Sequence, residues 1–160
     1  MTQFIARTER ELPSAAHVLS MSGLEFMRGI LAGTISAAPI AGLMNYRLDS
    51  VEEGYVAFCA TPEFEVTNPV GTVHGGWYGT LLDSCMACAV MTMVPKGSIY
   101  TTLEYKVNIT RPVPLGTEVI ATGRIQHAGR STGVANGEIR GADSVLYATG
   151  STTCNIMTPG

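Results

Sequence analysis

The stretch from Trp77 to Val94 is apolar almost without interruption, and it carries a single carboxylate, Asp83. Its most apolar part, Cys85 to Val94, is about half the ~20 residues that a bilayer crossing needs. A helix that is apolar on every side must be wrapped by other structure, so this one segment dictates what the rest of the chain has to build. Its limits are written in the sequence. Asn68-Pro69 signals a turn, His74-Gly75-Gly76 opens the segment, and Pro95-Lys96-Gly97 stops it.

The flanking sequence supplies the wrapping. Asn45 to Glu52 and Tyr55 to Thr61 flank a Glu53-Gly54 turn and predict a hairpin. Ser98 to Thr110 alternates, with Thr102, Glu104, Lys106 and Asn108 on one face and Leu103, Tyr105, Val107 and Ile109 on the other. Glu118 to His127, Thr132 to Ile139 and Val145 to Ile156 follow as further strands. The expected architecture is α+β: a curved antiparallel sheet wrapped around one long central helix. An extra N-terminal helix precedes it. There Ser22-Gly-Leu-Glu25 forms a capping box, Leu24, Met27, Ile30 and Leu31 recur on one face, and Gly33 ends the helix. Pro39 opens a single helical turn reaching Met44. Residues 1–20 show no sustained period, so residues 1–21 are expected to form a loosely docked arm and residues 22–160 a single domain.

Charge narrows the partners. Only 14% of residues are charged, against roughly 25% in ordinary soluble domains, which predicts that sister subunits cover much of the surface. A net charge of −3 without a basic cluster argues against nucleic acid. The N-terminus lacks a basic region followed by an apolar core, and with no membrane span either, a cytoplasmic protein is expected. Cys59, Cys85, Cys88 and Cys154 fit that compartment as packing residues. Cys85-Met-Ala-Cys88 has redox spacing but lies inside the apolar helix, and no second pair stands at metal spacing. No metal or redox cofactor is expected.

Asp83 is the first candidate for chemistry. A carboxylate in an apolar site becomes more basic, which suits a general base or a nucleophile; the structural alternative is a pair with Arg111 or Arg124. Within the helix its neighbours at three and four residues are Gly79, Thr80, Met86 and Ala87, none of them cationic. Gly75 and Gly76 make a tight loop, and a glycine N–H at a helix start can also polarise a carbonyl oxygen. Gly75 and Asp83 are eight positions apart, about 12 Å along one helix. A group attacking a carbonyl sits about 3 Å from it. One chain's Asp83 therefore does not serve its own Gly75, and a composite site at a two-fold interface is expected. His74 is either a structural hydrogen-bonding group or part of that site. Asn68 either makes an Asx turn before Pro69 or orients water or a substrate carbonyl. His17 and His127 have no context that raises them above background.

Asn68-x-x-Gly71-x-x-His74-Gly75-Gly76 followed by Asp83 resembles the hotdog-fold acyl-CoA thioesterases, specifically the phenylacetate-degradation (PaaI-like) group. The later Thr102-Leu-Glu-Tyr-Lys-Val-Asn-Ile-Thr-Arg111-Pro112 and His127-Ala-Gly129-Arg130 resemble its following strands, so the likeness runs from about Ser22 to Ile156. The resemblance implies a hotdog fold, a homodimer with two shared sites, and commonly a homotetramer built as a dimer of dimers. It also implies an acyl-CoA substrate, with coenzyme A entering as part of that substrate. In such proteins the residue matching Asp83 is base or nucleophile for thioester hydrolysis, and that matching Gly75 donates its N–H to the carbonyl. Those matching Asn68 and His74 help place water and substrate, with Gly76 beside them. Thr102, or adjacent Thr101 in a shifted register, supports the acid. Trp77-Tyr78 departs from the commoner pattern, where smaller or aliphatic residues stand. The two rings narrow the acyl pocket, stack on an aromatic acyl group, or fill core and interface. Arg111 and Arg130 either bind coenzyme A phosphates or are solvated charges. The resulting expectation is hydrolysis of a small, medium-chain or aromatic acyl-CoA. The rival readings are a non-catalytic acyl-CoA sensor and a hotdog hydratase or dehydratase.

Overall fold

A helix with no polar stripe finds its wrapping in one continuous sheet. The computed structural model describes residues 3–159. Three short helices, α1 (Ala15–Leu19), α2 (Gly23–Leu31) and α3 (Pro39–Leu43), precede the hairpin of β1 (Tyr46–Glu52) and β2 (Tyr55–Ala60). Then come the long α4 (Gly75–Met91) and the strands β3 (Ile99–Ile109), β4 (Val119–Ala128), β5 (Thr132–Gly141) and β6 (Leu146–Met157). The six strands form one antiparallel sheet in the order β1-β2-β4-β5-β6-β3. β3 therefore crosses over to the edge opposite β1.

The sheet lies directly on α4, whose buried side includes Leu81, Leu82, Cys85, Met86, Ala89 and Val90. Four strand glycines make this close approach possible. A Cβ on Gly123 would stand 2.0 Å from the Cys85 carbonyl oxygen, and Cβ atoms on Gly133, Gly137 and Gly150 would press on Val90 or Met86 at 3.0 Å or less. Side chains at those places would lift the sheet off the helix and open voids in a core packed to crystal-like density. The two rings after the double glycine belong to this core. Trp77 is 1% exposed and donates its Nε1–H to the Met44 carbonyl at 2.9 Å, while the Tyr78 hydroxyl accepts the Val113 N–H at 2.8 Å. They meet edge to face, and with both polar tips held by backbone groups they take the core-packing place among the readings open to them.

Two expectations change. The segment read as a loosely docked arm is built into the domain over its described part. Ile5 bridges Ala37, the Ala6 N–H donates to the Ala37 carbonyl at 3.0 Å, and Ser36 Oγ–H donates to the Glu11 carbonyl at 2.6 Å. Met1 and Thr2 of that arm lie outside the described residues. The second change is in β3. Its pairing with β6 runs from Thr102 opposite Cys154 to Glu104 opposite Thr153, leaving Leu103 as an extra, bulged residue. The strict alternation expected from sequence breaks there. Thr102 now shares a face with Tyr105, Val107 and Ile109, the face turned toward α4. The capping box of α2 forms as read: Ser22 N–H donates to the Glu25 carboxylate at 2.8 Å, and Glu25 N–H donates to Ser22 Oγ at 3.3 Å.

Candidate active site

The start of α4 is held by the turn before it. Asn68 Oδ1 accepts the N–H groups of Val70 (3.0 Å) and Thr72 (3.2 Å), and its amide donates to Thr72 Oγ1 at 2.8 Å. That is the Asx-turn role, and it leaves the Oδ1 acceptor occupied within the loop. His74 is the N-cap of α4: its Nδ1 accepts the Gly76 N–H at 2.9 Å. The neutral ring then carries its proton on Nε2. With the Gly76 N–H taken, the N–H of Gly75 has no acceptor among the described residues, and Gly75 is exposed. A bare donor at a helix N-terminus favours a partly negative oxygen, through both the hydrogen bond and the helix dipole.

Two turns further along, Asp83 faces a different environment. It lines a cavity of about 230 Å³ whose walls are mostly apolar, among them Met27, Ile30, Phe58, Ala87, Cys88 and Tyr100. Burial in these surroundings raises its carboxyl above the usual carboxylate range, and a hydrogen bond donated by Thr102 Oγ1 at 3.0 Å pulls back against that rise. No ion pair among the described residues reaches Asp83. Arg124, one partner considered for it, stacks its guanidinium 4.4 Å over the Tyr55 ring instead. The choice between the two threonines is also settled in geometry: Thr102 touches Asp83, whereas Thr101 is exposed.

β3 runs past α4 so that three contacts step along the helix. A Cβ on Gly75 would touch Ile109, one on Gly79 would touch Tyr105, and Asp83 receives Thr102. Gly75 and Asp83 therefore stand at opposite ends of one exposed helix–strand seam, about 12 Å apart along the helix. Tyr105 and Ile109 remain 47% and 48% exposed on it, although both are large and apolar. Arg111 follows β3 at the Gly75 end, while Arg130 sits in the turn between β4 and β5; both are exposed and neither makes an ion pair among the described residues. All four cysteines are free thiols. Burial pushes Cys88 up to about 12 and Cys85 higher still, so the Cys-x-x-Cys pair packs rather than reacts. No group of three His, Cys, Asp or Glu side chains among the described residues is placed to hold a metal ion. No described helix is long and apolar enough to cross a membrane. Sequence reasoning had no signal for Tyr46, whose hydroxyl meets Ser84 Oγ at 2.8 Å on the wall of the Asp83 cavity.

The arrangement has known counterparts. A family model described as the thioesterase superfamily matches residues 70–148, the span that holds the capped helix start and the acid. Mouse acyl-coenzyme A thioesterase 13 is 30% identical over 74 residues, 46% of this chain and 52% of that protein, so the chain spans about half the length of this curated relative. Among solved structures, the phenylacetic acid degradation-related protein of Ralstonia eutropha superposes with a TM-score of 0.74 at 26% identity, covering 81% of this chain and 98% of that one. A hypothetical thioesterase protein of Streptococcus pneumoniae, solved with coenzyme A, shares the fold with a TM-score of 0.65 at 23% identity, covering 71% of this chain and 87% of that one. Over residues 70–148 the chain is similar to the thioesterase superfamily, and its curled sheet around α4 is the hotdog fold.

Proposed function

We propose that this protein is an acyl-CoA thioesterase whose two sites each combine Asp83 of one subunit with the Gly75 N–H of another. The observation that carries the reading is the Asp83 carboxylate, desolvated, unpaired with any cation among the described residues and held by Thr102 on the wall of a mostly apolar cavity. The thioester carbonyl oxygen rests on the Gly75 N–H, which favours the charge that builds there as the carbon becomes tetrahedral. Asp83 takes a proton from water, and the water oxygen bonds to the carbonyl carbon. The carbon–sulfur bond then breaks, and the coenzyme A thiolate leaves with the proton returned from Asp83. In the nucleophilic variant the carboxylate itself bonds to the carbon, the carbon–sulfur bond breaks to release coenzyme A thiolate, and water then opens the mixed anhydride, its proton passing to the thiolate. Single turnover in heavy-oxygen water that leaves label in Asp83 identifies the second, with water attacking the Asp83 carbonyl of the anhydride.

The reaction calls for no metal or redox cofactor. His74 and Asn68 hold the helix start, and Arg111 and Arg130 are the cations available to coenzyme A phosphates. The exposed Tyr105 and Ile109 on the helix–strand seam support a two-fold pairing along β3, with two such dimers joining as a tetramer. Four free cysteines suit a cytoplasmic setting.

The test is complementation. Chains carrying Asp83→Ala and chains carrying Gly75→Pro are each inactive, but mixed one to one they recover about a quarter of wild-type turnover. Half the dimers are then mixed, and each mixed dimer has one intact site. No recovery sinks the shared site. Failure of the wild type to release thiol from short, medium and aromatic acyl-CoAs sinks the hydrolase, and loss of enoyl absorbance without thiol release points to a hydratase instead.

A further inference from the structure

A second cavity, of about 470 Å³, lies beneath the N-terminal helices, a size typical of small-molecule sites. Its roof is Leu12, Val18 and Phe26, and its floor includes Met91 of α4 and Ile99 of β3. It is walled almost wholly by apolar groups, and its one serine, Ser36, has its hydroxyl committed to the Glu11 carbonyl. It shares Met27, Ile30, Ala38, Cys88 and Tyr100 with the cavity that holds Asp83. Those five residues stand between the two cavities and line both.

We infer that the two cavities join as an acyl tunnel with these five residues as its waist: the fatty tail of the substrate enters beside Asp83, crosses the waist and ends under α1 and α2. The inference rests on the hydrolase reading for the identity of the head group. From Asp83 to Met91 the tunnel follows α4 for eight residues, about 12 Å. At roughly 1.3 Å of advance per carbon, set by ~1.5 Å bonds at tetrahedral angles, a straight chain of about eight to twelve carbons spans it. A charged or hydroxylated tail would lose its water without finding partners. The substrate class is therefore unbranched medium-chain acyl-CoA. The roof residues all precede residue 70, where the thioesterase family match begins. Chain length is thus read by a segment outside that match, while the acid comes from within it.

Ala38 is the place to close the waist. Its backbone is extended (φ −63°, ψ 140°) and its side chain is exposed on one side, so a larger residue fits the local geometry. Ala38→Phe is expected to lower the ratio of kcat/KM for decanoyl-CoA over propionyl-CoA at least tenfold, since several methylenes lose their burial. Leu12→Trp, which fills the far chamber from its exposed rim, is expected to lower the same ratio less and keeps the question open to test if Ala38→Phe does not fold. A readout independent of hydrolysis is thermal stabilisation by S-decyl-coenzyme A, a non-hydrolysable thioether, beyond that given by coenzyme A. The extra stabilisation should appear in the wild type and shrink in both variants. An unchanged ratio and unchanged stabilisation in the folded variants overturn the tunnel, as does a wild type without chain-length preference. If the thioether result holds but no acyl-CoA is cleaved, the hydrolase reading falls and the tunnel stands.

Discussion

The two ends of the seam along α4 solve opposite problems. At the helix start the polar group is backbone, the surroundings are open, and rigidity comes from a short loop in which Asn68 and Thr72 hold each other while His74 caps the helix. At Asp83 the polar group is a side chain, the surroundings are apolar, and a single threonine steadies it. The exposed end needs a cover before its N–H can act outside bulk water, where electrostatic effects are weak. The buried end has its apolar walls already but no carbonyl-polarising donor within about 12 Å along its own helix. Each end lacks what the other possesses, and in the proposed shared site a second copy of the chain would supply both deficits at once.

Substitutions can break this contrast, beginning with the acid. Asp83→Asn should lower kcat/KM by about 10²–10⁴-fold, the range for losing a general base. The same change should leave the fold slightly more stable at neutral pH. Burial raises the Asp83 carboxyl in the folded chain, so its contribution to stability is full below the unfolded value of about 3.9 and is lost as pH rises through the raised folded value. Thermal melts across pH should therefore show a flatter acid-side profile in the variant. A lower melting temperature at neutral pH would mean that Asp83 is structural.

At the other end, Gly75→Pro removes the N–H and adds a ring whose Cβ would meet Ile109 at an ordinary contact distance of 3.7 Å. Proline is favoured at the first helical position, and His74 before it is already extended (φ −66°, ψ 140°). A loss of about 10²–10³-fold in kcat with an unchanged melting temperature is expected. Retained activity would show that the exposed end takes no part. Thr102→Val sharpens the contrast more gently, costing up to about tenfold. Because the Thr102 hydrogen bond opposes the rise of the Asp83 carboxyl, its removal should move the acid limb of the kcat/KM profile to higher pH, and Thr102→Ser should restore it. Arg111→Ala should raise KM for acyl-CoA a few-fold with little change in kcat, as for one exposed phosphate contact; an unchanged KM would leave it a solvated charge.

Much of this molecule was legible because its signals are local or periodic. The unbroken apolar run required a wrapped helix, glycine and proline marked its ends, and Ser22 with Glu25 announced a cap. The spacing of Gly75 and Asp83 needed only the rise of a helix. Docking of the N-terminal segment was not legible, since single backbone bonds such as Ala6 to Ala37 leave no period. The burial of Trp77 and Tyr78 was open for a similar reason: an aromatic pair beside a glycine hinge suits a pocket as well as a core, and only the distant Met44 carbonyl and Val113 N–H decide between them.

The bulge at Leu103 has a consequence for anyone comparing relatives of this chain. Because one residue of β3 goes uncounted in the pairing with β6, a gapless alignment through the strand to a relative without a bulge there fits Glu104 onward but sets Leu103, not Thr102, opposite the residue that serves the acid. Transferring site assignments across this edge correctly requires a one-residue gap at position 103. A threonine that looks substituted in such an alignment has then only been shifted by one column.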